Sequence, residues 1–535
     1  MSPSPFSKKD SREFGILRGF FWPIHAWEAK KFLPLGILMF CTVFIYTVLH
    51  DTKDTLIITA SSSGAALIPF LKVFITMPVA ILFVVVYSKL SNFISQERLF
   101  YGITLSFLGI LGLFAFWMHP NKELLHPDPH WIKSLQQAYP RLQHIFAMME
   151  LWSFALFYLI SELWGAVVVT LLFWQFANEV TRTREAKRFY SFFGLIANFS
   201  LIFAGLASKH MADIRGCYPA GVDIWVISIQ HIVVMLVSVG VLMVVLYRWM
   251  HVNVLNDPKY YDCSLNEGLH HSKASSPPLR QSMKVIFKSR YLGYIALLII
   301  GYNFSNNLLD VVWKSQLKIQ YPDPNDYCMY MGNFTMIMGF CTMGMVVFFK
   351  GIVRKLGWFA GAIVSPAFML LAAIPFFGVV CFQDAFLGVS SFFVCTPLML
   401  AIGLGAFQEI TSKGSKYALF DPTKEMAYMP LTKELRIKGK AFVDVAGSKI
   451  GKALSGFMAG ALLMTTGAPN ISQATPFFAI CVFVMIGIWM VAVWKLNKLY
   501  KEKQLQHEQQ EAQIPITPIA VVTKQAPKKT MQKVA

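Results

Sequence analysis

The chain has 535 residues, 55% of them hydrophobic and only 14% charged, with a mean hydropathy of +0.51. Ordinary soluble cores cannot bury so much apolar surface, so most of the solvent must be lipid. The net charge of +19 would suggest a nucleic-acid partner in a soluble protein, but here the basic residues fall in alternate loops, and binding to RNA or DNA is not needed to explain them.

Twelve apolar stretches long enough to cross a bilayer are predicted, at about 33–50, 64–88, 99–118, 144–175, 189–209, 224–250, 291–310, 328–349, 358–380, 386–407, 442–466 and 477–494. A first segment, 1–32, precedes them. It lacks the uninterrupted apolar core and small-residue cleavage site of a signal peptide. Span 1 is therefore expected to serve as the insertion signal. Basic residues cluster before span 1 (Lys8, Lys9, Arg12, Arg18, Lys30, Lys31), after span 4 (Arg182, Arg184, Lys187, Arg188) and between spans 6 and 7, with few in the alternate loops. That asymmetry predicts an even number of spans with both termini cytoplasmic, in a bacterial inner membrane.

The hydrophilic stretch 251–290, with Asn256-Asp257-Pro258 and Ser275-Ser276-Pro277-Pro278, divides the chain into a six-helix bundle at 33–250 and a second at 291–500. The expected fold is an all-α membrane protein of two six-helix halves, major-facilitator-like, with a solute site near the midplane between the halves. The tail 501–535, rich in Gln, Lys and Pro, reads as disordered. The eight cysteines are scattered without metal-ligand spacing, and no cofactor or protein-borne metal site is expected.

Charges inside such spans are costly and mark solute paths. His50-Asp51-Thr52-Lys53-Asp54 falls where span 1 is expected to end. Its repeat-related counterpart, the end of span 7, carries Asp310 and Lys314, with Lys318 a further turn along the same face. A cation and a carboxylate at the head of each half suit an anionic, hydrogen-bonding solute; the alternative is a pair of solvated helix ends. Glu162 lies deep in span 4, 18 steps or about 27 Å of helix from His144. It could accept hydrogen bonds from a solute, pair with a lysine across a cavity, take up a proton if desolvation raises its pKa, or form a structural ion pair between helices.

At span 11, Lys438 and Lys440 lead into Lys449 and Lys452, i,i+3 neighbours in an apolar helix. Lysines clustered in a membrane cavity suit a polyanion, although Lys438 and Lys440 would equally serve as interfacial anchors. The string from Gly447 to Ala453 mimics a P-loop but has one residue too few between its glycines and Ala where Ser or Thr should hold magnesium, which excludes ATP hydrolysis there. The spacing Gly456 to Gly460 reads as helix packing, and Phe173, Trp174 and Phe176 as core or lipid surface. His231 and Lys72 are lone polar residues without an assignment.

At these same segments the sequence resembles the ATP/ADP translocase family, the nucleotide transporters of intracellular bacteria such as chlamydiae and rickettsiae and of plant plastids. The blocks that carry the resemblance include Trp22-Pro23-Ile24-His25, Asp51-Thr52-Lys53-Asp54-Thr55-Leu56, Glu162-Leu163-Trp164-Gly165, Phe173-Trp174-Gln175-Phe176-Ala177-Asn178-Glu179, Trp313-Lys314-Ser315-Gln316-Leu317-Lys318 and Lys438-Gly439-Lys440-Ala441. It extends over about residues 14–500. The resemblance implies import of nucleotides, typically ATP in exchange for ADP and phosphate, by alternating access and without enzyme activity. The functional charges it implies fall on Lys53, Glu162, Asp310 and a lysine of the 438–440 segment.

Two departures stand out: His50 where many members have Arg, and Asp310 where they have Glu. A titratable His50 beside Glu162 and Asp310 would suit proton coupling, so proton-driven triphosphate uptake and exchange of several ribonucleotides stand as alternatives. Transport of another organic phosphate is a more distant one. A membrane-embedded enzyme would need a nucleophile with its base or paired metal-binding carboxylates, whereas the acidic residues here are dispersed among spans 4, 7 and 11. The expected partners are nucleotides, with phosphate or protons as possible companions, and the bilayer; two complete halves make a monomer sufficient.

Overall fold

The computed structural model describes residues 24–60, 64–181, 183–214, 218–219, 221–256, 289–349, 352–392, 394–431, 440–468 and 470–513. The secondary structure among these is helical. In the first half the long helices are α1 (Ala26–Thr59), α2 (64–90), α3 (Gln96–Met118), α4 (Trp152–Val180), α5 (Thr183–Ala212) and α6 (Ile224–Leu255). The second half contributes α7 (Arg290–Gln320), α8 (Pro324–Phe349), α9 (Ile352–Cys381), α10 (397–428), α11 (Lys440–Thr466) and α12 (Ile471–Gln513). Among the described residues, ten of these helices are long and apolar enough to cross a membrane. The other two, α10 and α11, are of similar length but carry Glu409, Lys413, Lys416, Asp444, Lys449 and Lys452, which lowers their hydropathy.

Several predicted boundaries shift. Span 1 does not end at His50: α1 continues through the charged block to Thr59, and α7 likewise runs past Asp310 to Gln320. Charges stop a helix in lipid only if they must reach water; these are paired inside protein instead. The fourth span is also not one long rod from His144. Residues Gln143–Glu150 form a separate helix, broken at Leu151 from α4. Where a tenth crossing is expected from Phe386, α10 begins only at Pro397, after Thr396 whose side chain accepts the Met399 N–H at 3.2 Å. The last helix passes the expected start of the tail and continues to Gln513.

Close helix packing positions the charges. In the first half, the Tyr46 ring of α1 occupies the space a side chain at Gly165 would need, with a Cβ there only 2.5 Å from the ring, so α1 lies directly on α4. The Trp164 Nε1–H donates to the Thr42 carbonyl at 3.2 Å. In the second half the Trp313 Nε1–H of α7 donates to the Ile402 carbonyl of α10 at 3.0 Å, and a Cβ at Gly405 would strike the same indole at 2.1 Å.

The halves meet at the end where α1 and α7 finish. A Cβ on Gly205 of α5 would sit 2.4 Å from the Gly332 carbonyl oxygen of α8, and one on Gly332 would sit 2.7 Å from the Gly205 oxygen. On the opposite flank, Gly456 of α11 leaves 3.1 Å to Val73 of α2 and Gly460 leaves 3.7 Å to Phe70. This agrees with the packing role read for the Gly456 to Gly460 spacing. Between α3 and α4, helices Pro129–Ala138 and Gln143–Glu150 cross the same end, and Gln143 Nε2 donates to the Ala468 carbonyl of the other half at 3.3 Å.

Candidate functional site

The charges converge where α1, α4 and α7 cross. Lys53 Nζ lies 2.7 Å from Asp54 and 3.1 Å from Glu162, with the Tyr158 ring 4.1 Å below it. Lys314 Nζ lies 2.7 Å from Asp54 and 2.6 Å from Asp310. Asp54 is therefore held by a lysine from each half. The side chains of Lys53, Lys314 and Asp54 are 2%, 3% and 1% exposed, which rules out solvated helix ends. Glu162 and Asp310 keep 23% and 17% exposure, so the network has an open side.

Local structure explains this geometry. His50, Asp54 and, on α7, Asp310 and Lys314 are i,i+4 pairs, so the continuing helices stack each pair on one face. His50 Nδ1 lies 3.7 Å from both Asp51 and Asp54, and its side chain is 31% exposed. Asp51 accepts a hydrogen bond from the Thr335 hydroxyl of α8 at 2.9 Å, a second link between halves. Glu162 lies ten residues into α4, about 15 Å along it, near the middle of a bilayer core of about 30 Å. The 27 Å estimate counted the separate helix before Leu151 as part of the span.

Further cations surround the open side. Lys452 and Lys449 are exposed on α11, and Lys452 acts electrostatically on Glu162. The P-loop-like string lies in the middle of α11, so its backbone N–H groups are spent in the helix and form no phosphate cradle. Lys416 of α10 sits in a π-helical turn over Tyr302 and Tyr417, at 5.4 and 5.1 Å. Lys440 opens α11, but its side chain, like all of Lys438, lies outside the described residues.

Sequence reasoning passed over several groups. Lys72 of α2, left without an assignment, donates to the side-chain amide oxygen of Asn307 on α7 in the other half. The Asn307 amide donates in turn to Ser455 Oγ of α11 at 2.6 Å. The signal was present, since Lys72 is the single basic residue in the apolar run from Gly64 to Tyr87, but nothing in the sequence told which helix it would meet. Asp54 stood inside the recognised block and its central place appeared only when both lysines closed on it. Glu409 of α10 is buried, with Lys413 at 3.5 Å and the Asn306 amide donating at 3.5 Å.

Phe173 and Phe176 are core: Phe173 packs edge-on to Trp174 and Phe176 lies 4.3 Å from the Tyr247 ring. His231 is exposed and bonds its own helix through the Ile227 carbonyl at 2.9 Å. An open groove of about 470 Å³ between α3 and α6, lined by Leu105, Leu108, Gly109, Phe116 and Val234 among others, carries no charged side chain and lies apart from this network.

Comparison with known proteins finds relatives over most of the chain. A protein of Chlamydia pneumoniae named ADP,ATP carrier protein 1 is 42% identical over 511 residues, covering 95% of this chain and 98% of that one. The chloroplastic ADP,ATP carrier protein 2 of Arabidopsis thaliana is 38% identical over 90% of this chain and 77% of its own. Among solved structures, a bacterial homologue of the iron transporter ferroportin in its inward-facing state matches with a TM-score of 0.57 at 13% identity, over 90% of this chain and 99% of that one. That likeness concerns the fold, which is all-α and major-facilitator-like. The family described as TLC ATP/ADP transporter matches residues 7–500, and the chain belongs to it.

Proposed function

We propose that the protein exchanges nucleoside di- and triphosphates, ATP for ADP in the first instance, across a membrane by rocking its two halves about a midplane site. The observation that carries this is the buried charge network shared between halves, with Asp54 bridged by Lys53 and Lys314. Relatives named ADP,ATP carrier proteins, one of them matched over 98% of its length, support the choice of substrate. No covalent step is involved.

Glu162 and Asp310 each hold one of the two lysines on the open side of the network, so a polyphosphate arriving there competes with them for Lys53 and Lys314. Lys449 and Lys452 draw the anion in, and Lys438 and Lys440, close before them in the sequence, serve the same end. Removing Lys314 from Asp54 frees the halves to part, so cargo and closure are alternatives for the same charges. The asymmetry of loop charge supports a reading in which the joined end faces outside and both termini lie in the cytoplasm, in a bacterial inner membrane. On this reading the structure corresponds to an inward-open state. A monomer suffices, because the network is complete in one chain.

Uptake of radiolabelled nucleotides by cells expressing the protein tests the proposal; absence of uptake of every nucleotide by correctly inserted protein refutes it. Unlabelled nucleotide preloaded inside should accelerate entry. A second reading, proton-driven triphosphate uptake, has one observation in its favour: His50 lies 3.7 Å from Asp51 and Asp54, beside the bridge itself. A protonophore would abolish entry in that case and leave exchange intact. Competition by glucose phosphate would identify a sugar-phosphate carrier.

A further inference from the structure

The buried lysines of the network are already committed. Lys53 has two carboxylates and a ring face, Lys314 has two carboxylates, and both are closed off from solvent. With side chains only 2% and 3% exposed, neither can receive a phosphate until the network breaks. Lys72 differs. Its hydrogen-bond partner is a neutral amide oxygen, that of Asn307, and it is only half-buried. Among the described residues it forms no ion pair with a carboxylate, although Asp310, Glu162, Lys53 and Lys314 all act on it electrostatically.

The surroundings of Lys72 are those of a receptor for an anion. It stands in the π-helical turn Leu71–Thr76 of α2, an irregularity that re-aims side chains and recurs at functional sites. Beside it, Asn307 donates to Ser455, and Ser455 donates to the Lys452 carbonyl at 2.8 Å. Lys452, exposed on the same turn of α11, has no carboxylate within ion-pair distance among the described residues. Glu162 lies within electrostatic reach of both lysines. One cation from the first half and one from the second thus flank an amide and a hydroxyl. This arrangement can hold successive phosphates of one chain.

Resting on the transport reading above, we infer that Lys72 is the first anchor of the polyphosphate: the arriving chain displaces the Asn307 side-chain amide oxygen from Lys72 and bridges Lys72 to Lys452 across the two halves, with one phosphate on each lysine. A nucleoside monophosphate, with one phosphate to offer, occupies only one of the two lysines at a time and turns to Lys452 when Lys72 is lost. Lys53 and Lys314 then act later, as the groups whose release from Asp54 lets the halves move.

Equilibrium binding of ATP, ADP and AMP to the purified full chain in nanodiscs tests this. Lys72→Gln should weaken ATP and ADP by about 10- to 100-fold, the loss of one charge-assisted contact, and change AMP by less than about threefold, whereas Lys72→Arg should keep ATP within about threefold. Asn307→Asp provides a second variant that retains the lysine but gives it a carboxylate, and it should weaken ATP by a similar factor. ATP binding by Lys72→Gln or Asn307→Asp equal to that of the wild type would overturn the inference while leaving the transport reading intact. Failure of the wild type to bind any nucleotide would instead overturn that reading, and the inference with it.

Discussion

Replacing Asp54 with Asn removes the charge that joins the halves while keeping the side chain's shape. In the closed end seen here, Asp54 lies 2.7 Å from Lys53 and 2.7 Å from Lys314, with all three side chains buried. Breaking a buried pair costs about 3–5 kcal/mol, because the remaining charge is left in a medium that cannot solvate it. Here each lysine retains one carboxylate, Glu162 at 3.1 Å and Asp310 at 2.6 Å, which puts the cost near the lower end, about 3 kcal/mol. Once the end opens, water reaches Lys314 and the penalty disappears, so the cost falls on the closed state alone. At 1.4 kcal/mol per decade, the ratio of closed to open should fall about 100-fold. Spin labels at Asn121 and Thr465, exposed positions on the two halves at this end, would report it as a longer distance population in Asp54→Asn without substrate. Asp51→Asn is the control: its partner is the Thr335 hydroxyl at 2.9 Å, a hydrogen bond that an amide oxygen accepts nearly as well, so the shift should stay below about tenfold. An unchanged distance distribution in Asp54→Asn, or an equal shift in Asp51→Asn, would refute the argument that charge holds this end shut.

Gly205→Ala should open the same end by crowding rather than charge, since its Cβ would press to 2.4 Å on the backbone oxygen of Gly332, an atom that cannot rotate away; the same label pair reads it. Glu185→Gln should leave that distance unchanged yet lower the thermal midpoint in detergent, because the buried Lys31–Glu185 pair at 2.7 Å ties α1 to α5 within one half, and losing it costs about 3–5 kcal/mol. His119, just beyond α3, is buried without a hydrogen bond on either ring nitrogen among the described residues; burial, and then Lys122, pushes its pKa down to about 4 against the opposing pull of Asp223. The unfolded ring binds protons from about pH 6.5 downward while the folded ring resists. Its stabilisation is thus complete above pH 6.5 and declines by about 1.4 kcal/mol per pH unit toward pH 4, roughly 3 kcal/mol in all. Chemical denaturation across that range should show the decline, and His119→Phe, which keeps the packing on Phe114 and Phe154 at 5.6 Å each, should flatten it.

Hydropathy along the chain determined much by itself: a membrane solvent, helices as the spanning element, and the singling out of Lys53, Glu162, Asp310, Lys314 and Lys452 as charges that need a partner or water within apolar helices. These follow from costs that each residue pays in lipid whatever its neighbours. Partnership was decided only by the tertiary structure. That Asp54 serves lysines of both halves, that α1 and α7 run on through their charged blocks, and that Lys72 reaches Asn307 are all consequences of which helices cross and at what height. Helix crossings rest on small residues such as Gly165, Gly205 and Gly332 meeting particular surfaces over long sequence separations. A glycine in a sequence states that close approach is allowed; only the packed bundle states what approaches.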